Sequence, residues 1–257
     1  MNSLFTVKDK TILVTGGSRG IGYMIATCYV KAGARVYISS RDEERCAAVE
    51  KELSALGFCR AISGDLSKLS EIERIISELE ALEPKLDVLV NNAGATWGAS
   101  LEDFPEKGWD KVASLNVKTP FFLIQRALPM LKVGAISTAP SRVINIGSVD
   151  GIKVPIWDNY SYAASKAGLH HLSKTLVRPL AEYNININTI APGPFSTDMM
   201  APMQEAGWGD TVASEVPLKR FGEAGDIIGT ALFLASPASS YVTGAIIPVD
   251  GGMSGAA

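Results

Sequence analysis

The stretch Thr11-Ile12-Leu13-Val14-Thr15-Gly16-Gly17-Ser18-Arg19-Gly20-Ile21-Gly22 decides the architecture. Five residues of strand character run without a break into glycines at 16, 20 and 22, and a helix-compatible segment follows. Glycine permits a tight turn and a close approach of backbone to pyrophosphate. The helix start behind it supplies N–H donors and the positive end of a dipole. The spacing differs from the GxGxxG fingerprint, and a plain turn is the bland alternative.

Outward from this stretch the same alternation continues. Strand-like runs lie at ARVYISS 34–40, CRAISGD 59–65, LDVLVN 86–91, RVINIGS 142–148, ININTIA 185–191 and AIIPVD 245–250. Between them, Ile72, Ile75, Ile76, Leu79 and Leu82 recur at helical spacing amid charged residues, as a helix packed on a sheet face requires. Counting the first, seven strands alternate with amphipathic helices. The expected class is α/β: a Rossmann-type, doubly wound, seven-stranded parallel sheet with helices on both faces and a ligand beyond the strands' carboxyl ends. With 257 residues, 47% of them hydrophobic, residues 1–257 are expected to form a single domain around one sizeable core.

A net charge of −3 and a pI near 5.5, without a long Lys/Arg run, argue against nucleic acid as a partner. No apolar stretch reaches membrane-spanning length, and MNSLFTVKDK lacks the layout of a secretory signal. A soluble, cytoplasmic protein without a membrane partner is expected. Cys28, Cys46 and Cys59 are odd in number and widely spaced, and read as core or surface thiols. The adjacent His170 and His171 have no metal-ligand spacing around them. No metal site is expected, and both histidines read as helix surface or subunit contact.

The end of the second strand reads Ser39-Ser40-Arg41, where an acidic residue would favour NAD by binding the adenosine ribose. Arg41 and Arg19 offer a guanidinium pair to the extra phosphate of NADP, with serine hydroxyls as further donors. Asp42 is the counterargument. It reads instead as a helix start before Glu43 and Glu44, so NADP(H) is the expected cofactor.

TGxxxGIG at 15–22, NNAG at 91–94, Ser148, Tyr162-Ala-Ala-Ser-Lys166 and Pro192-Gly193 stand in the order and spacing of the short-chain dehydrogenase/reductase family. The chain resembles that family over nearly its whole length. The resemblance implies that Gly16, Ser18, Arg19, Gly20, Ile21 and Gly22 cradle the cofactor and that Ser40 and Arg41 reach its phosphate. Asp65 and Leu66 would then flank the adenine, and Asn91, Asn92, Ala93 and Gly94 would line the cofactor. Thr197, after Pro192 and Gly193, would contact the carboxamide, and Lys166 the nicotinamide ribose.

Tyr162 and Lys166 are four apart in SYAASKAGLHHLSKTL, which suits a helix and places both on one face. A neighbouring ammonium favours the phenolate, so the lysine is expected to lower the tyrosine's pKa. In the family pattern, the nicotinamide delivers hydride to a carbonyl carbon, Tyr162 protonates the oxygen and Ser148 holds it. Asn116 matches a fourth catalytic position, whose backbone carbonyl holds a water leading to the lysine. If 109–131 is helical, Pro120 lacks the N–H that would bond to residue 116 and its ring pushes that carbonyl aside. The bland alternative is a bend that fits a long helix to the sheet. Pro179 poses a similar question in the Tyr162 helix. Tyr160 has no lysine four residues on and is expected to pack near the pocket.

Residues 194–222 read as a lid, with Met199, Met200, Met203 and Trp208 as an adaptable apolar wall or simply core. Trp97 and Trp157 are expected to narrow the pocket. NNAGATWGA and NIGSVDGI resemble β-ketoacyl reductases of the rhamnolipid type. A ketone or alcohol, or an acyl thioester, is therefore the expected partner, and relatives imply a homotetramer. KVGAISTAPSR at 132–142 lacks a compact basic cluster for an acidic carrier protein, leaving a CoA thioester or small ketone open. A secondary-alcohol or sugar dehydrogenase and a non-catalytic NADP-binding sensor are the competing readings.

Overall fold

The computed structural model describes residues 4–198, 200, 205 and 207–255. Seven parallel strands form one sheet: β1 Thr11–Thr15, β2 Arg35–Ser39, β3 Cys59–Ala61, β4 Val88–Asn91, β5 Ser141–Ile146, β6 Ile185–Pro192 and β7 Ile246–Val249, in the order β3-β2-β1-β4-β5-β6-β7. The winding reverses between β1 and β4. A crevice opens there at the carboxyl ends. Residue 15 pairs with 39, and residue 90 with both 14 and 144, so the strands from β2 to β5 end almost level.

Helices α1 Gly20–Lys31, α2 Glu43–Ser54 and α3 Leu69–Leu82 follow the first three strands. The expected stripe on α3 is realised: Ile72, Ile75, Ile76 and Leu79 are buried and Leu82 is partly so. Every residue of β1, β4 and β5 is buried, because helices cover both faces. The third strand is shorter than the seven residues read from CRAISGD. Ile62 and Gly64 nonetheless still donate to the carbonyls of Ile38 and Ser40.

The helix expected over 109–131 is a composite. Helix α4, Glu106–Ala113, passes through a π-turn at Ser114–Lys118 into α5, Thr119–Lys132. Likewise α6, Tyr160–Thr175, stops at Leu176, and α7, Val177–Ala181, restarts with Pro179 in its first turn. There the missing N–H leaves no bond unmade. Among the described residues after β6, a short helix, Gly209–Glu215, and a longer one, Ala224–Ala235, follow, the latter packed against α1.

Candidate active site

Gly16 and Gly20 adopt positive φ, +64° and +54°, so the turn needs their left-handed conformation. Gly22 is required by space: a Cβ there would lie 2.3 Å from Asn92 Nδ2 and from the Gly16 carbonyl oxygen. Asn92 Nδ2 donates to the carbonyls of Thr15 and Gly16 at 2.9 and 3.1 Å. Thr15 Oγ1 accepts the N–H groups of Asn92 and Ala93 at 2.9 and 3.1 Å. These bonds fix the glycine turn to the loop after β4. Helix α1 begins at the turn with no acidic residue in its first turn and no side-chain cap at Arg19, which suits an anion at its amino end.

Beside the turn, Ser18, Arg19, Ser40, Arg41, Asp42 and Arg45 line a cavity of about 320 Å³. Asp42 caps α2 by accepting the Arg45 N–H at 3.0 Å, so the one acidic residue in the cavity serves the helix, as the sequence led us to expect. Arg45 was not foreseen. Its Nε donates to the Ser18 carbonyl at 3.0 Å, and its guanidinium lies 3.5 Å from Asp198. Its position four residues after Arg41, in the first turn of α2, was the available signal.

Asp65 accepts from the Ser67 hydroxyl and N–H. Burial raises its carboxyl, but the Ser67 bonds and the charges of Lys68 and Arg41 hold it below the usual range. Leu66 is buried in the core, and its carbonyl accepts the Thr119 hydroxyl at 2.8 Å. Ile21 also packs against the core. Gly193, after Pro192, donates to the Val249 carbonyl at 3.0 Å, and Thr197 lies over Gly20, 3.6 Å from where its Cβ would stand.

Across the crevice, Ser148 follows β5 and caps a 3₁₀ turn, Val149–Gly151, its Oγ accepting the Asp150 N–H at 3.2 Å. Tyr162 and Lys166 share one face of α6, as expected, and the Ser148 hydroxyl lies near enough to Tyr162 to favour its phenolate. Lys166 is 4% exposed, with Nζ 2.8 Å from the Ile146 carbonyl and 5.5 Å from the Tyr162 ring centre. The expected lowering of the tyrosine by the lysine is not found. Burial pushes the Tyr162 phenol up to about 12, with the nearby Ser148 hydroxyl opposing and Asp150 adding. Burial also brings Lys166 down to about 8, against the Asp150 charge. Burial outweighs the pairing because it disfavours both charged forms.

Asn116 is buried in the π-turn. Its side chain exchanges two bonds with the Ala95 backbone, at 2.9 and 3.0 Å, and donates to Ser165 Oγ on α6 at 2.9 Å. The Thr119 N–H reaches back five residues to the Ser114 carbonyl. Pro120 has no N–H for the Asn116 carbonyl, so the disturbance takes the form of a π-turn. A Cβ on Gly94 would lie 3.2 Å from Asn116 Oδ1 and 3.7 Å from Lys166 Nζ, so the three converge.

Trp157 meets Trp208 edge to face at 6.1 Å, joining the loop between Ser148 and α6 to the start of the helix Gly209–Glu215. Met200 is partly buried, while Met199 and Met203 lie outside the described residues. Trp97 packs on Gly108 of α4. Tyr160 faces a different cavity, with Leu101, Phe104 and Trp109, because residues two apart on a helix point apart. His170 corrects the surface reading: it is 4% exposed beneath the Ser148 turn, whereas His171 is exposed. Cys46 and Cys59 are buried and Cys28 partly so, all three as free thiols. Among the described residues, no helix is long and apolar enough to cross a membrane.

A family model described as Enoyl-(Acyl carrier protein) reductase matches residues 16–254. The chain is 46% identical, over 98% of its length and 99% of the relative's, to the rhamnolipids biosynthesis 3-oxoacyl-[acyl-carrier-protein] reductase of Pseudomonas aeruginosa. It is 34% identical to the 5-keto-D-gluconate 5-reductase of Escherichia coli, covering 98% of each chain. A solved Pseudomonas aeruginosa RhlG/NADP active-site complex superimposes with a TM-score of 0.96 at 44% identity, over 99% of this chain and 100% of that one.

Proposed function

The chain belongs to the short-chain dehydrogenase/reductase family, and from that membership we propose that it is an NADP(H)-dependent reductase converting a hydrophobic ketone, foremost a 3-oxoacyl thioester, to a secondary alcohol. The observation that carries this reading is the convergence, at the carboxyl ends of the strands, of Ser148 on the turn after β5 with Tyr162 and the buried Lys166 on α6. The cofactor fits the residues present. Gly16 and Gly22 let the turn fold tightly against Asn92 at the amino end of α1, and Arg19, Arg41 and Arg45 gather where a 2′-phosphate requires cations. Gly20, Ile21 and Ser18 form the rest of the cradle, with Ser40 as a hydroxyl donor. Asn92, Ala93, Gly94, Pro192, Gly193 and Thr197 line the crevice toward the reacting end, with Asp65 and Leu66 at the adenine end. When bound, NADPH supplies the hydride.

Ser148 Oγ holds the substrate's carbonyl oxygen and aligns it with Tyr162 Oη. A phenol near 12 keeps its proton at neutral pH and gives it up as negative charge develops on that oxygen. The Lys166 ammonium, fixed by the Ile146 carbonyl, stabilises the resulting phenolate and passes a proton back to it. In this reading the Asn116 carbonyl, to which Pro120 offers no N–H, holds the water that reloads the lysine. Exposed Val154 and Ile156, with Trp157 and Trp208, give the loop and lid an apolar surface suited to an acyl chain. We place the enzyme in the cytoplasm as a homotetramer by family resemblance; light scattering that finds only monomer overturns the tetramer.

The test is oxidation of NADPH, and separately NADH, with a medium-chain 3-oxoacyl thioester beside simple, aromatic and sugar-derived ketones. Thioester turnover with NADPH preferred supports the reading. Activity confined to keto sugars moves the assignment to a sugar dehydrogenase, and NADPH binding without turnover to a sensor.

A further inference from the structure

Sixteen residues of α6 carry Tyr162, Lys166 and, one turn further on the same face, His170. His170 is buried directly under the turn that presents Ser148. Its Nε2 accepts the Ser148 backbone N–H at 3.4 Å. The ring also fills the space on both sides of that serine. A Cβ on Gly147 would lie 2.1 Å from His170 Nε2, and one on Gly151 2.8 Å from His170 Cε1. Gly147 is thus demanded by the imidazole, and Gly151 by the α6 backbone at Lys166 and Ala167 together with the ring. The turn closes on itself above the ring, with the Gly151 N–H donating to the Ser148 carbonyl at 3.1 Å.

We infer that His170 is a positioning residue for the Ser148 hydroxyl, acting as a neutral imidazole whose Nε2 holds the serine's amide. This rests on the reductase reading, in which Ser148 holds the substrate oxygen. The helix that carries the proton donor thereby also fixes the group that must face it, so the Ser148–Tyr162 spacing is set by one rigid element rather than by a loop. Because Nε2 accepts, the ring's single proton sits on Nδ1. Burial, helped by the charges of Lys166 and Lys174, brings the imidazole down to about 4, so it is uncharged at neutral pH. An apolar side chain of similar size would fill the same space. It would leave the amide unheld, and that difference separates positioning from mere packing.

Three readouts test the inference. His170→Leu is expected to lower kcat by about 10–100-fold, the cost of misplacing one reacting group, with the Kd for NADPH unchanged. His170→Gln, which keeps an acceptor, restores most of the loss. Wild-type kcat in His170→Leu, or equal loss in both variants, overturns the acceptor role. Ser148→Ala is measured alongside: lost turnover there with an unaffected His170→Leu sinks this inference alone, whereas a wild-type chain that turns over no ketone sinks the reductase reading. If His170→Leu does not fold, ¹⁵N-imidazole NMR of the wild-type chain decides. The chain has two histidines, and His171→Gln assigns their signals. A proton on Nδ1 supports the inference, and a proton on Nε2 overturns it.

Discussion

Tyr162 holds its proton firmly because burial disfavours the phenolate, and burial brings Lys166 down to about 8, where it still carries its proton at neutral pH but gives it up readily. The pair is set for proton donation to an oxyanion rather than for standing ionisation. Tyr162→Phe is expected to cut turnover by roughly 10²–10⁴-fold while fluorescence titration shows NADPH binding intact. At the other end of the crevice, Arg45→Ala removes one guanidinium from the phosphate cavity, a charge-assisted bond of about 1.5 kcal/mol. The KM for NADPH should rise about tenfold and that for NADH stay level in steady-state assays. The meeting of Tyr162 with Lys166 on one helix face, and of Arg19 with Arg41 at one cavity, was legible from residue types at fixed spacing. Arg45 and His170 were not, because their roles depend on where a helix start and a glycine turn sit in space.

The seven strands were legible from their apolar runs, since a parallel sheet covered on both faces allows little else. The π-turn at Ser114–Lys118 was foreseen only as a disturbance at Pro120: a proline shows which bond is missing, but not how the backbone redistributes it. The Asn116 side chain makes that turn a three-way joint between the loop after β4, the α4–α5 column and α6. Asn116→Ala leaves the Ala95 backbone groups unpaired in a part-buried place. It should cost roughly 2–3 kcal/mol in denaturant unfolding and loosen Lys166 along with Ser165.

For the molecule as a whole, acid stability follows from His170. Its imidazole titrates near 4 in the folded chain, against 6.5 when free, so the unfolded chain takes up the proton first. Stability is therefore full above about 6.5 and falls as the pH drops toward 4. Asp150, raised by burial, works in the opposite sense, and Asp65 and Glu83, held low, add their losses at still lower pH. Thermal melts of wild type against His170→Gln isolate the histidine, and the variant should show the flatter slope between pH 6.5 and 4. The edge-to-face meeting of Trp157 and Trp208 also gives the molecule an optical voice. Two indoles at 6.1 Å couple their excited states, so near-ultraviolet circular dichroism carries a signature of the loop and the helix Gly209–Glu215 together. Substrate that parts the rings should erase that signature, and Trp208→Phe should remove it from the outset, turning lid motion into something a spectrometer reads without a label.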